Sequence, residues 1–492
     1  MRNDQLYGDI KTVVGAEWVS DDPEIVGVHT RDGNIFPQDV RSVMRPPYLE
    51  VLPGTEEELQ KVMVICKRSS TPVTIVTTGL NVTGTAVPPM GGVLLDLKRL
   101  DQIIEIDEHN ATITVQPYVS VARVSCELQK RGMFIPVPGC PSTASIMSNF
   151  LFGNGHKVTN RVGRQDESVV GYRMILPDGS FFKLGTGTDF SRPQGFWPHG
   201  PGPDLHCLPL WTLGTTGIVT QMTIKCWMRG EALKEMWVAY EDLDDAVKSF
   251  GILATKEICN GLNLYGGNKY TSYFTDNREA MERMIRANPE YQLIISLEGT
   301  KRRIEYEESV VRKIAAETGG VVISDKFKPY KSFVESHLGM SASMYSEYSM
   351  RYWGSRGANW VAADLETSDK MADAHRAYSK AAMDDPEYFN PDMGHGEIWR
   401  SLISYPYSGG HSGWTEHGID IHPGDPLQQD MMKRISASYP MYGGQHGLIL
   451  PPLNRAPREG LPPVRLPMYR LSEQLVKRLD PDNYIHRSMV FV

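Results

Sequence analysis

Apolar and polar positions switch between two periods along the first half of the chain. Between residues 49 and 228, apolar runs of strand length alternate with segments of helical spacing. Thr55 followed by Glu58 has the spacing of a capping box, and Leu59, Val62, Met63 and Cys66 recur behind it at helical intervals, which predicts an amphipathic helix over 56–68. Val73–Val76, Val93–Leu97 and Ala111–Val115 read as strands, and Val121, Val124 and Leu128 mark a second helix stopped at Gly132. Val170–Leu176 and Ser180–Leu184 flank the turn signal Pro177-Asp178-Gly179, and Ile218–Trp227 is a further β-rich strand.

The pattern changes after about Arg229. A strand at Trp237–Tyr240, a helix over 243–256, a strand at Gln292–Leu297 and a charged helix over 301–317 predict a second α+β unit. From 340 to 425 periodicity fades and Gly, Ser, Trp, Tyr and His accumulate, so this stretch reads as long loops or as a site-forming surface. Near the end, Leu471, Leu475, Val476 and Leu479 fall on one helical face, stopped by Asp480-Pro481-Asp482-Asn483.

Composition narrows the class. The chain has 492 residues, 41% hydrophobic and 22% charged, as in ordinary globular proteins. A formal net charge of −8 argues against a nucleic-acid partner and against a polybasic membrane anchor. No window approaches the roughly 18 apolar residues of a membrane span. The N-terminal stretch lacks the apolar core of a secretory signal, so a cytoplasmic location is expected. The six cysteines, Cys66, Cys126, Cys140, Cys207, Cys226 and Cys259, form no C-x-x-C pair and give no basis for an iron–sulfur or zinc site. No G-x-G-x-x-G follows a strand. Gly79 and Gly84 have P-loop spacing, but Thr85 stands where the lysine should be. G-x-S-x-G and H-E-x-x-H do not occur.

What does occur is a strand running into a loop of glycines and threonines, Thr77-Thr78-Gly79-Leu80-Asn81-Val82-Thr83-Gly84. Small residues let backbone N–H groups approach an anion, and hydroxyls add donors, so a diphosphate is a natural ligand. Three segments follow in order: Pro138-Gly139 with Ser145, Ile146, Ser148 and Asn149; Gly163 to Gly179; and Asp204 to Thr220, which contains Gly214, Gly217, Ile218 and Val219. Together these resemble the FAD-linked oxidases of the vanillyl-alcohol oxidase and p-cresol methylhydroxylase superfamily, nearest its glycolate oxidase and D-lactate dehydrogenase branch. The likeness covers about 45–228 and resumes at Leu479–Asn483, similar to the family's closing D-P motif. It implies an α+β fold: a two-subdomain FAD-binding domain, residues 1–228 completed by 440–492, with an inserted α+β cap (substrate) domain over 229–439. It also implies that 77–84 hold the pyrophosphate of FAD and that Pro138, Gly139, Ser145, Ile146, Ser148 and Asn149 run along the ribityl chain and ring. Gly214, Gly217, Ile218 and Val219 would approach the flavin or its adenine end through main-chain groups. Val76 and Thr77 replace the family's usual arginine and glycine, and Met147-Ser148 its frequent glycine pair. Some members attach FAD through a histidine in the first loop. Leu80 and Asn81 stand in that area here, so non-covalent FAD is expected.

Five of the 13 histidines lie between 395 and 446: His395, His411, His417, His422 and His446. Gly443-Gly444-Gln445-His446-Gly447 resembles the G-E-H-G motif of the 2-hydroxy-acid dehydrogenases, whose histidine removes the substrate hydroxyl proton, a task suited to a pKa near the working pH. Gln445 replaces the motif's glutamate, and Gly394-His395-Gly396-Glu397 lacks the second histidine of the family's metal segment, so no metal is expected. Arg400 and His395 are candidates for contact with the substrate, with Arg400 suited to a carboxylate or an oxyanion. The aromatic residues from Tyr345 to Tyr442 equally suit an aromatic substrate. The expected activity is FAD-dependent removal of hydride from a small hydroxylated substrate, with a 2-hydroxy acid favoured over an aromatic alcohol or alkylphenol. Without a nicotinamide fingerprint, electrons are expected to pass to oxygen or to a partner such as a cytochrome, an electron-transfer flavoprotein or an iron–sulfur subunit. A flavin-binding subunit without catalysis of its own, and a homo-oligomeric assembly, stay open at this point.

Overall fold

The computed structural model describes residues 4–30, 45–80, 86–88, 90–137, 140, 142–153, 158–185, 197–199, 205–267, 289–324, 358–366, 370–373, 401–421 and 466–486. The first layer contains α1 (Asp4–Val14), β1 (Val19–Ser20), α2 (Pro23–Gly27), β2 (Leu49–Val51), α3 (Glu56–Arg68), β3 (Val73–Val76) and β4 (Val93–Asp96). The strands form a sheet of order β1-β2-β4-β3, in which β2, β4 and β3 run parallel. Every residue of β2 and β4 is buried, as in parallel strands covered on both faces. Helix α3 has the predicted limits. Thr55 caps it by accepting from Glu58 N at 3.1 Å, and the Glu58 carboxylate reaches back to Gly54 N at 2.7 Å, one residue before the cap itself.

The second layer contains β5 (Ile103–Asp107), β6 (Thr112–Val115), α4 (Val121–Gln129), β7 (Met133–Phe134), α5 (Ile146–Phe152), α6 (Thr159–Val162), β8 (Val169–Ile175), β9 (Phe181–Gly185), β10 (Ile218–Lys225) and β11 (Trp227–Met228). Its antiparallel sheet has the order β5-β6-β10-β8-β9, and β7 pairs with β11 as a separate ribbon. The apolar faces of α4 and α5 close a core with Ile113, Val115, Tyr172, Met174, Met222 and Ile224. The buried Glu56 of α3 ties the two sheets together. Its carboxylate accepts from the Thr220 hydroxyl and from Gln221 Nε2 at 3.2 Å, and pairs with Arg173 at 3.1 Å.

A third sheet is built from β12 (Ala232–Tyr240), β13 (Gly261–Gly267), β14 (Tyr291–Gly299), β15 (Val321–Val322), β16 (Ala358–Glu366), β17 (Ser401–Tyr407) and β18 (Ser412–Ile421), with α7 (Leu243–Thr255) and α8 (Lys301–Glu317) between them. All its pairings are antiparallel, in the order β15-β12-β14-β13-β17-β18-β16. The two helices cover one face, where Met236, Val238, Leu262, Leu264, Leu293 and Ile295 form an apolar core. The alternate residues are also buried but differ in character: Glu235, Trp237, Asn263, Tyr265, Gln292, Ser296, Glu298, Tyr405, Tyr407 and Trp414. Antiparallel sheets usually alternate apolar with solvated positions; here the second face is polar and aromatic yet closed from water.

The last described residues are α9 (Leu466–Leu479) and the segment 480–486, which returns to the first sheet. Ile485 bridges Val73 in parallel, Tyr484 and Ile485 join the core of the first layer, and the Tyr484 hydroxyl donates to Pro177 O at 2.7 Å. Among the described residues, no helix is long and apolar enough to cross a membrane.

One expectation needs correction. The stretch 340–425 contains three long strands, β16 to β18, rather than loops alone. Their residues lack apolar alternation because even the helix-covered face carries hydroxyls here: Ser404 and Thr415 pair at 2.8 Å, fully buried. Helix α9 forms where its apolar spacing predicts, with Val476 buried and Leu471 and Leu475 exposed. Strands β5 and β13 had no individual sequence signal, β5 having no buried residue and β13 being glycine-rich.

Candidate functional site

The first cofactor loop begins where β3 ends. Thr77 Oγ1 lies 3.0 Å from Ser148 Oγ, and Thr78 Oγ1 accepts from Ser145 N at 3.1 Å. Ser145 caps α5: its hydroxyl accepts from Ser148 N at 3.1 Å and donates to Pro117 O at 2.6 Å. Asn149 Nδ2 donates to Ser145 O at 2.8 Å. The structure thus brings together Thr77, Thr78, Ser145, Ser148 and Asn149 from two distant segments. Gly79 has φ +70°, and a Cβ there would meet only Val76, at 4.0 Å; Gly79, Leu80 and Ser148 are exposed. Open backbone beside a cluster of hydroxyls suits an anionic or polyol ligand. Ile146 is buried in the core, which leaves it main-chain contacts only. Asn81, Val82, Thr83, Gly84, Pro138 and Gly139 lie outside the described residues.

The second loop precedes β10. Trp211 (φ +60°), Leu213 (φ +55°) and Gly214 (φ +81°) are left-handed within four positions, a cost that the surroundings must offset. Hydroxyls fasten the loop. Thr215 Oγ1 donates to Thr212 O at 2.7 Å, Thr216 Oγ1 to Leu208 O at 3.2 Å, and Thr212 Oγ1 to Pro209 O at 3.1 Å. Gly217 has φ +138°, and a Cβ would fall 2.5 Å from Ile175 O. Ile218 and Val219 are buried at the start of β10, so they too can meet a ligand only through the main chain.

Trp211 links this loop to the third sheet. It stacks on Phe152 with ring centroids 5.6 Å apart, lies 6.1 Å from Trp414, and has the Arg164 guanidinium 5.6 Å from its centroid. Arg164 is held by Asp166, with Nε to Oδ1 at 2.8 Å. A further tie runs from Asn160 Nδ2 to Cys259 O at 3.2 Å. The polar, aromatic face of the third sheet therefore meets elements of the second layer on the side of Trp211.

Two buried groups near these elements lack partners. On the face opposite the helices, neither atom of the Asn263 carboxamide makes a hydrogen bond, although the residue is fully buried. In the second layer the Tyr172 hydroxyl is likewise unpaired; burial, then the charges of Asp166 and Cys207, push its phenol well above the ordinary tyrosine range. Its ring lies 5.1 Å from that of His206. A buried amide or hydroxyl without a partner costs roughly 1–3 kcal/mol, which a bound ligand or water recovers. Sequence reasoning assigned no role to Arg164, Tyr172, Trp211 or Asn263. The Gly163–Gly179 motif was a signal for the first two, and Trp211 lies in the Asp204–Thr220 segment, whereas Asn263 stands in a strand with no pattern of its own.

His395, Arg400, His422 and His446 lie outside the described residues. His411 is exposed, and His417 pairs through its backbone with Ala362 and Leu402 in the third sheet. Among the described residues, one group could supply three metal-binding atoms, His29, Glu50 and Asp96. Lys98 sits in it, 2.9 Å from Asp96 and 3.8 Å from Glu50, and His29 Nε2 is 3.2 Å from Glu50, so the group is an ion-pair network. Burial alone pushes the Glu50 carboxyl up, but the hydrogen bond and charge of His29 and the charge of Lys98 outweigh it, and the net shift is downward.

With this geometry in place, comparison with known proteins is informative. The sequence profile of the FAD binding domain family matches residues 47–185. The fold is shared with p-cresol methylhydroxylase (TM-score 0.81, 17% identity, covering 99% of this chain and 96% of that one). It is shared as well with the 4-ethylphenol oxidase of Gulosibacter chungangensis (TM-score 0.80, 14% identity, covering 99% and 97%). Among curated proteins, the glycolate oxidase subunit GlcD of Bacillus subtilis is 29% identical over 43% of this chain and 44% of its own length. The probable mitochondrial D-lactate dehydrogenase of Danio rerio is 23% identical over 64% and 60%. The D-lactate dehydrogenase [cytochrome] 1 of Saccharomyces cerevisiae is 26% identical over 49% and 40%. The chain thus spans about half the length of the curated relatives it matches. Residues 47–185 match an FAD-binding domain, and FAD is the cofactor that this match supports.

Proposed function

We propose that this chain is an FAD-dependent oxidoreductase that removes hydride from a small hydroxylated substrate, with a 2-hydroxy acid as the favoured class. The observation that carries the reading is the contact between the FAD-binding half and a buried sheet face bearing polar and aromatic side chains, with Asn263 unpaired on it. The names of the curated relatives, a glycolate oxidase subunit and D-lactate dehydrogenases, favour the 2-hydroxy acid. In this reading residues 1–228 and 440–492 form the FAD-binding domain and 229–439 the cap.

The residues of the first loop fit the cofactor. Open backbone at Gly79 and the hydroxyls of Thr77 and Ser148 form a neutral donor set for a diphosphate or ribityl chain. Thr78 spends its oxygen on Ser145 N and fixes the loop against α5. Gly214 and Gly217 bring main chain close where a side chain would collide. Leu80 and Asn81 offer no nucleophile in the first loop, consistent with non-covalent FAD.

Bound FAD supplies the hydride acceptor, N5 of its isoalloxazine ring. The chain's own part is to hold the substrate, exclude water and move a proton. His446 accepts the proton of the substrate hydroxyl, and Arg400, with His395 beside the substrate, holds a carboxylate in place. The unpaired Asn263 amide offers both a donor and an acceptor on the closed face of the cap sheet. Oxygen or a redox partner would be the final electron acceptor. Anaerobic mixing with candidate substrates tests the role of His446: His446→Ala should retain FAD and bleach about 100-fold more slowly or worse. Equal bleaching rates would remove His446 from the mechanism.

The second reading, oxidation of an aromatic alcohol or alkylphenol, is favoured by one observation: Trp237, Tyr265, Tyr405, Tyr407 and Trp414 share the same buried face. Comparing bleaching by 2-hydroxy acids with bleaching by 4-alkylphenols and benzylic alcohols separates the two.

A further inference from the structure

The segment after α9 lies along the open edge of β3 like one more parallel strand. Val73 N donates to Tyr484 O at 2.7 Å, and His486 N donates to Val73 O at 2.7 Å. At His486 the backbone turns left-handed, φ +45°, a conformation in which His, Asn and Asp are enriched among non-glycine residues. Among the described residues, the next donor on this edge of β3, Ile75 N, meets no backbone acceptor. The imidazole takes that place: His486 Nε2 accepts from Ile75 N at 3.3 Å. Accepting at Nε2 puts the ring proton on Nδ1.

The same ring reaches the second cofactor loop. A Cβ built on Gly214 would lie 3.2 Å from Cδ2 and 3.3 Å from Nε2 of His486, and 3.5 Å from Cδ1 of Ile75. His486 is 4% exposed. The imidazole is therefore wedged between the end of β3, two residues before Thr77, and the left-handed turn at Gly214.

We propose that His486 is a positioning residue for FAD: it completes the edge of β3 with a side-chain acceptor and sets the spacing between the Thr77–Leu80 loop and the Gly214–Gly217 loop. The role rests on both loops belonging to the FAD site. It explains why a segment hundreds of residues from either loop ends in contact with both. Without the acceptor, Ile75 N is a partly buried donor that loses its partner, and the two loops lose their common spacer.

The test is titration of the flavin-free protein with FAD, followed by flavin fluorescence, for the wild type, His486→Ala, His486→Gln and Ser148→Trp. The Gln amide oxygen reaches the position of Nε2. Ser148→Trp fills the exposed mouth beside Thr77. Ser148→Trp should abolish FAD binding, His486→Ala should weaken it about tenfold, and His486→Gln should bring it back near wild type. The circular dichroism of the flavin-free variants shows whether each is folded. If His486→Ala does not fold, the Gln variant decides. Wild-type affinity in folded His486→Ala, or weak binding or failure to fold in His486→Gln, overturns the role of His486 while loss of FAD in Ser148→Trp leaves the site standing. Undiminished FAD binding by Ser148→Trp overturns the site assignment and the inference with it.

Discussion

Gly217 shows how tightly single residues are constrained around the cofactor loops. Its φ of +138° and the 2.5 Å approach of a would-be Cβ to Ile175 O leave no room for a side chain. Gly217→Ala should cost roughly 2 kcal/mol or more, read as a lower unfolding temperature of the flavin-free protein together with weaker FAD binding. Glu50 makes a prediction of a different kind. Its carboxyl is held below the ordinary range by His29 and Lys98, against the upward push of burial. A depressed folded value means stability that is present above the unfolded pKa and lost as pH falls through the folded one. The neighbouring Asp96 is shifted upward by burial, with Lys98 pulling it back and the charge of Glu50 adding to the rise, so it does not reproduce this loss. The stability gap between wild type and Glu50→Gln should narrow as pH falls below the ordinary glutamate value of 4.5. A gap independent of pH in thermal melts would contradict the assigned shift. At this scale the sequence was partly legible. The threonine and serine hydroxyls were singled out as cofactor contacts, but the bonds that tie Thr78 to Ser145 and Thr77 to Ser148 join separate segments and leave no local pattern.

Elements were legible where one face is apolar and the other wet. Helices 56–68 and 301–317 have the limits their spacing predicts, because a capping residue and an amphipathic stripe specify each one locally. Legibility failed for β16 to β18 and for β13, whose glycines, hydroxyls and aromatic rings belong to a sheet closed on both faces. Such strands are specified by their neighbours through register rather than by their own alternation. The apolar stripe of α9 predicted its helix, although Leu471 and Leu475 are exposed. The terminal segment is held more by hydrogen bonds than by that stripe. Asp480 Oδ2 accepts from Ile485 N at 2.9 Å, and the Tyr484 hydroxyl donates to Pro177 O at 2.7 Å. Tyr484→Phe should therefore destabilise the protein by about 1 kcal/mol, seen as a lower denaturation midpoint, while FAD stays bound. No change in the midpoint would mean that the bond adds nothing beyond what water supplies.

In the whole molecule, two parallel and antiparallel layers carry the cofactor loops, and a third sheet offers them a closed face of Asn, Glu, Tyr and Trp side chains. The aromatic chain Phe152–Trp211–Trp414 and the bond from Asn160 to Cys259 join the two parts. In the proposed reading, this closed face would exclude water and orient the substrate, which is what flavin-linked hydride removal asks of a protein. The flavin half was readable because short loops recur in a fixed order. The closed face of the third sheet was not, because its residues converge only after the sheet has formed. The central claim is that a small hydroxylated molecule delivers its electrons to the flavin of this chain. Anaerobic mixing of the FAD-loaded protein with a panel of 2-hydroxy acids and aromatic alcohols measures this directly, through the visible absorption band of the flavin. Rapid bleaching by a 2-hydroxy acid is the expected result. A flavin that stays oxidised with every member of the panel, while dithionite reduces it normally, would contradict the account.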